Sequence, residues 1–300
     1  MPARDRGSSP AGFRAQVLAR LRNQAHAAGV SSQRLQQRVA FERFLARLGP
    51  SGAWVLKGGF ALELRYGWGS RPTRDIDLRV ASTLEAALAQ LRTTLAESTG
   101  SDHFSFELAE AGQELQGAPG GTQRLQVHAR LAGETLARFH IDVSSGDALV
   151  SVPDTLEGSD LLTFAGVEPL RFPVYPVVQH LAEKLHAYTL PRSEPNTRVK
   201  DLVDLVTMAA VEAVEGDALL PSVRATFTVR ASHDLPTVLP APPAEWAAPY
   251  ARLAGASPLA TIADVHAGYA LAAAFWQPFL DGIVAGRRWQ PQARDWLIGT

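Results

Sequence analysis

Residues 55–80 read VLKGGFALELRYGWGSRPTRDIDLRV. Val55 and Leu56 close a short buried strand at Lys57, the Gly58–Gly59 pair turns the chain, GFALELRYG reads as a short helix stopped at Gly67, and RDIDLRV alternates as a second strand. On a strand, residues two apart share a face, so Asp75 and Asp77 project side by side while Ile76 and Leu78 face the opposite layer. At about 6.6 Å and an effective dielectric near 20, their repulsion costs on the order of 2.5 kcal/mol, so a cation is expected between them. Magnesium suits the pair: it is a hard ion that takes a few carboxylates and leaves its other positions to water and substrate phosphates. The plainer alternative is a solvated sheet face with Arg74 and Arg79 as partners. The glycine pair favours the metal, because it lets the backbone approach an anion while the helix starting there aims free amides and a positive dipole end at it.

A third carboxylate on a neighbouring strand would complete a nucleotide-transfer centre. Asp142 in RFHIDVSSGD is the candidate, with His140 on its face, and Asp147 is the alternative. Three carboxylates could hold two magnesium ions for an in-line displacement of pyrophosphate.

Around this stretch, residues 11–28 and 31–48 have helical spacing, with Gly29 and Gly49 as stops and Ser31 or Ser32 as a cap. STLEAALAQLRTTLAES predicts a helix with a capping box at Ser82 and Glu85 and a stripe through Leu84, Leu88, Leu91 and Leu95. HFSFELAE, TQRLQVHARLAG and ETLARFHIDVSSGD predict three strands, the last two joined by a hairpin near Gly133. The order is strand, helix, strand, helix and then a meander, which is an α+β fold with a mixed sheet flanked by helices. From Pro176 the spacing becomes helical, through PVVQHLAEKLHAY, NTRVKDLVDLVTMAAVEA, DALLPSVRATFTVR and DVHAGYALAAAFWQPFLDGIVAG, with DLPTVLPAPPAEWAAP as an ordered or extended loop. The expected division is 1–50 as basic N-terminal helices packed on the core, 51–172 as the α+β domain and 173–300 as a helical C-terminal domain.

Apolar residues make up 46% of the 300 and charged residues 20%, the balance of a globular chain. There is no cysteine, which excludes disulfides, thiolate zinc sites, iron–sulfur clusters and a cysteine nucleophile, and fits a cytoplasmic location. The first residues lack a signal-peptide core, and YALAAAFWQPFLDGIVAG, broken by Gln277, Pro278 and Asp281, reads as a buried helix, so no membrane partner is expected. Residues 1–50 hold nine arginines against Asp5 and Glu42, a net of +7 in a chain whose total is −1. This makes the N-terminal helices a candidate polyanion surface, the alternative being ordinary amphipathic helices with arginine on the wet face. Lysine occurs only as Lys57, Lys184 and Lys200, which suggests that a compact ammonium is required at those places.

Lys184 flanks the apolar stripe of Val177, Leu181, Leu185 and Tyr188, where a lysine with no task would extend outward. On the next helix Asp201 and Asp204 share a face, Lys200 is spaced to reach Asp204, and Arg198, Lys200 and Asp201 cluster after a loop containing Pro195. His140, His180 and His186 fit no metal-ligand spacing and read as structural.

The glycine pair followed by paired aspartates resembles the nucleotidyltransferase superfamily of DNA polymerase beta type. LKGGFAL, RPTRDIDL, LAEKLHAY and RVKDLVDL, in order over about half the chain, resemble the AbiEii/AbiGii family of bacterial toxins. The resemblance implies magnesium-dependent transfer of a nucleoside monophosphate from a nucleoside triphosphate, with the tRNA 3′ end as acceptor and a cognate antitoxin as partner. It assigns Asp75 and Asp77 to metal, with Asp142 as third carboxylate. It assigns Gly58 and Gly59 to phosphate, Lys184 to the triphosphate and Asp201 to the last acidic position; Lys57 beside the turn and Arg198 and Lys200 at the helix start are expected to assist in binding the nucleotide. Phe60 departs from the small polar residue common there and is expected to narrow the turn. The rivals are nucleotidylation of a protein or small molecule, and a catalytically idle binding module.

Overall fold

A computed structural model describes residues 9–50, 53–97, 102–109, 112–115, 118–191, 198–255 and 262–298. The chain forms two compact units: residues 1–60, 73–146 and 155–174, and residues 61–72, 147–154 and 175–300.

The first unit is built on a mixed sheet. Its strands are β1 (Trp54–Lys57), β2 (Asp75–Val80), β3 (Phe104–Leu108), β4 (Gln113–Leu115), β5 (Thr122–Leu131), β6 (Glu134–Ser145), β7 (Asp154–Glu157) and β8 (Arg171–Val174). Their order is β3-β5-β6-β2-β1-β8-β7, with β4 also on β5; β2 runs parallel to β6 and β1 parallel to β8. The mixed-sheet fold class expected above is therefore present. Strands β4, β7 and β8 lie where no strand was expected.

Among the described residues, helices α1 (Pro10–Ala28), α2 (Ser32–Leu48) and α4 (Leu84–Glu97) accompany the sheet. Ser31 caps α2 by accepting from the Arg34 amide at 3.2 Å, and Gly29 ends α1 in the left-handed region. The α4 cap differs from expectation. Thr83 Oγ1 accepts from the Ala86 amide, whereas the Ser82 carbonyl accepts from Ser145 Oγ at 2.8 Å, so the capping box at Ser82 does not form. On α4 only Ala87 and Leu91 are buried, and the rest of the leucine stripe is half-buried.

Strands β2, β5 and the middle of β6 alternate, whereas all four residues of β1 are buried. Ile76, Leu78 and Val80 of β2, Leu125, Val127 and Ala129 of β5, and Phe139, Ile141 and Val143 of β6 are buried on one face. There Phe41 and Phe44 of α2 meet Phe139 edge-on at 4.7 and 5.8 Å between ring centroids. Phe60 is fully buried and meets Phe41 at 4.9 Å, so it points into this core and does not narrow the glycine turn. The other face carries the polar residues.

The β5–β6 hairpin is irregular next to Ala129. Leu131 pairs with Glu134 and Arg130 with Thr135, but Ala129 pairs with Ala137, leaving Leu136 as the extra residue of a bulge. Beyond it every β6 partner is displaced by one.

The second unit contains α5 (Val177–Thr189), α6 (Val199–Val211), α7 (Gly216–Arg230), α8 (Ala247–Ala254) and α9 (Val265–Leu280). It also holds a small antiparallel sheet of β9 (Val214–Glu215), β10 (Arg287–Gln290) and β11 (Asp295–Ile298), where only helices were expected. Trp289 and Trp296 face each other across β10 and β11, and their indole N–H groups donate to the carbonyls of Ala209 and Phe275 at 2.7 and 2.8 Å. The proline-rich segment is ordered: Tyr188 and Tyr269 donate to the carbonyls of Pro240 and Leu239 at 2.6 and 2.7 Å. Among the described residues, no helix is long and apolar enough to cross a membrane.

Candidate active site

Four charged residues lie at one level across four strands of the first unit. Lys57 on β1 is opposite Asp77 on β2, Asp77 is in register with Asp142 on β6, and Asp142 is opposite Arg124 on β5. One level along, Asp75 is in register with His140. Cross-strand partners share a face, so these side chains form a row in which two negative charges are flanked by a positive charge on each side. Asp75 and Asp77 are half-buried while Ile76 between them is fully buried, as the alternation requires.

Electrostatics explains the row. Arg124 donates from Nε and Nη2 to the two Asp142 oxygens, at 2.7 Å each, and its Nη2 lies 3.7 Å from Asp75 Oδ2. His140 Nδ1 is 3.6 Å from Asp75 Oδ1. The hydrogen bond to Asp142, reinforced by the charges of Asp142, Asp75 and Asp77 against a smaller burial effect, pushes the Arg124 pKa further up. The cation expected beside the aspartates is thus supplied in part by an arginine.

Gly58 opens α3 (Gly58–Tyr66) with φ +66°, and a Cβ added there would stand 1.9 Å from Asp77 Oδ2. A side chain at this position would occupy the place of the carboxylate, so glycine is required both by the backbone and by the approach of Asp77. Asp75 and Asp77 therefore offer hard oxygen donors beside a helix start, which suits a divalent cation. Asp142, the third donor expected, is held by Arg124, and among the described residues no group of three or more His, Asp or Glu side chains is placed to hold a metal ion. The donor set fits one ion on the Asp75–Asp77 pair better than two ions on three carboxylates. Asp147, the alternative third donor, belongs to the second unit, where its carboxylate accepts from Arg230 at 2.8 Å.

The second unit holds a separate cluster. Lys184 on α5 lies 3.0 Å from Asp201 Oδ1 and 2.8 Å from Asp204 Oδ2, both on α6. Arg71 grips Asp204 with Nε and Nη2, each at 2.8 Å, and Arg198 Nη1 is 3.6 Å from Asp201 Oδ2. Burial alone would raise the Asp204 carboxyl, but Arg71 and Lys184 reverse this and hold it at about 2. Burial likewise works against the Lys184 ammonium, and Asp204 and Asp201 more than compensate, pushing its pKa up. Lys184 does not extend outward as a lysine with no task would; its amine is buried between two carboxylates. The Asp204 partner expected from spacing, Lys200, is exposed, and Arg71 and Lys184 take that place.

A sequence model of the family described as nucleotidyl transferase AbiEii toxin, type IV TA system, matches residues 40–277. The chain belongs to the AbiEii nucleotidyltransferase toxin family. Among solved structures, MenT4, a nucleotidyltransferase toxin from Mycobacterium tuberculosis H37Rv, is similar at TM-score 0.54 and 18% identity, over 93% of this chain and 98% of that one. JHP933 from Helicobacter pylori is similar at TM-score 0.44 and 15% identity, over 84% of this chain and 94% of that one. The first likeness supports the nucleotidyltransferase fold. No curated protein matches the chain.

The AbiEii match makes this chain a nucleotidyltransferase toxin of a type IV toxin–antitoxin system. Within that family assignment, the structure brings Lys57, Asp77 and Asp142 together with Arg124 in one unit, and Lys184, Asp201 and Arg198 together with Arg71 and Asp204 in the other. Arg71 and Arg124 were not expected from the sequence. The basic N-terminal helices also differ from expectation: Arg38 pairs with Glu42 at 2.9 Å, and Arg43 and Arg47 both pair with Asp102. Arg20 and Arg22 stay exposed, with the Arg20 guanidinium 4.1 Å from the Phe164 ring centroid, while Arg4 and Arg6 lie outside the described residues. Pro195 also lies outside them. His186 is buried against Phe227 at 5.0 Å and is held neutral, in keeping with a structural histidine.

Proposed function

We propose that this AbiEii-family chain is a magnesium-dependent enzyme that transfers a nucleoside monophosphate from a nucleoside triphosphate to the 3′ end of tRNA inside the cell, and that a cognate antitoxin restrains it. The observation that carries the reading is the Asp75–Asp77 pair on one polar sheet face, with Asp77 packed where a Gly58 side chain would stand. A divalent ion held by the pair would neutralise triphosphate charge and lower the pKa of the attacking hydroxyl. Gly58 and Gly59 leave the first amides of α3 for a phosphate, with Lys57 in register with Asp77.

Lys184 is assigned to the triphosphate, with Asp201 fixing the position of its ammonium and Arg198 beside it. Lys200, exposed at the start of α6, is assigned an assisting contact with the nucleotide. The internal pairing of Arg38, Arg43 and Arg47 favours a second reading, in which the acceptor is a protein or small molecule. Incubation with each labelled nucleoside triphosphate, magnesium and total RNA distinguishes the two. Label in tRNA supports the first reading, label in protein or a small acceptor supports the second, and no label under any condition refutes both.

A further inference from the structure

Arg124 engages both oxygens of Asp142 while its Nη2 stays 3.7 Å from Asp75. A carboxylate gripped this way has its in-plane lone pairs taken by a guanidinium fork, and a second cation on it is disfavoured by the charge already there. Yet Asp142 is in register with Asp77, on the face from which a metal would be approached. The arginine is not sealed in place: its side chain is 33% exposed, against 13% for Asp142. A planar guanidinium suits a phosphate as well as it suits a carboxylate.

We propose that Arg124 is a positioning residue for the transfer reaction: it is a built-in counter-ion that keeps Asp142 out of metal coordination until the phosphates of the nucleotide draw the guanidinium away. The inference rests on the reading of Asp75 and Asp77 as metal-holding. In the resting protein the metal then has two protein carboxylates, and the third becomes available only with substrate, so that full coordination is tied to nucleotide binding. A purely structural cross-strand pair would steady the β5–β6 hairpin and leave metal affinity alone.

The test is Mn2+ binding to the full chain without nucleotide, followed by the electron paramagnetic resonance signal of free Mn2+. Arg124→Gln is expected to tighten binding about tenfold, within the usual range of coupling between two sites. Asp142→Asn alone is expected to leave the resting affinity unchanged, and Arg124→Gln combined with Asp142→Asn to restore the wild-type value. Unchanged or weaker binding by a natively folded Arg124→Gln overturns the proposal, as does a tenfold loss in Asp142→Asn. If Arg124→Gln does not fold, Arg124→Lys, which keeps the charge and loses the fork, decides with a smaller gain expected and no gain as the overturning result. Wild-type binding that Asp77→Asn abolishes and Arg124→Gln leaves untouched removes this inference alone. No Mn2+ binding by the wild type removes the metal reading with it.

Discussion

Gly58→Ala should damage both stability and transfer, and the two contributions can be separated. The left-handed backbone at φ +66° costs an L-residue about 1–2 kcal/mol. The new methyl would also stand 1.9 Å from Asp77 Oδ2 and 2.6 Å from its Cγ, so the carboxylate must leave its position. Driving the side chain off its rotamer adds about 0.5–1.5 kcal/mol, for a total on the order of 2–3 kcal/mol. Gly67→Ala is the control: Gly67 has φ +61° with nothing within 4 Å of the added Cβ, so it carries the backbone cost alone. Thermal denaturation should show Gly58→Ala melting about 2–5 °C below Gly67→Ala. Nucleotidyl transfer should be lost in Gly58→Ala and retained in Gly67→Ala. Equal melting of the two variants, with full transfer by Gly58→Ala, would refute the packing of Asp77 against this turn.

Other outcomes follow from the buried charges. Asp204 has its carboxyl lowered from 3.8 to about 2, so the unfolded chain takes up the proton first; the stability it confers is complete above pH 4 and is lost as pH falls toward 2, an effect on the order of 2 kcal/mol. Urea denaturation of wild type and Asp204→Asn should converge across that window, and parallel profiles would contradict the assignment. Asp204→Asn at pH 7 should itself cost about 3–5 kcal/mol, because Arg71 and Lys184 lose a shared buried counter-charge. His186 has a pKa lowered from 6.5 to about 3, mainly by burial and then by Arg230, so its contribution is present above pH 6.5 and declines as the pH falls toward 3. Stability should drop by about 2 kcal/mol between pH 6.5 and pH 5 from this group, and His186→Gln should flatten that slope.

The glycine turn and aspartate pair of the first unit were legible because their signals are local. In the segment from β1 to β2, the strand ends, the glycines and the alternation of Asp75, Ile76 and Asp77 all fall within one short stretch. Strand β8 was not legible: it is four residues, contains Pro173, and pairs with β1, far away in sequence. The β9–β11 sheet is hidden for a similar reason, since β9 has two residues and RRWQ in β10 looks polar until Trp289 meets Trp296. Arg124 was concealed by the hairpin bulge. Counting back from the Leu131–Glu134 pair without it places Arg124 opposite Ile141; the extra Leu136 moves the partner to Asp142. In the N-terminal helices a charge count does not distinguish the exposed Arg20 and Arg22 from Arg43 and Arg47, which pair with Asp102.

The central claim is that two carboxylates of one strand hold the divalent ion for transfer. It is tested most directly by assaying pyrophosphate release from nucleoside triphosphate as magnesium is titrated, with wild type beside Asp75→Asn and Asp77→Asn. The expected result is saturable magnesium dependence in the wild type and no detectable release from either variant while both keep the native circular dichroism spectrum. Undiminished release by either variant, or release that persists at full rate in excess chelator, would contradict it.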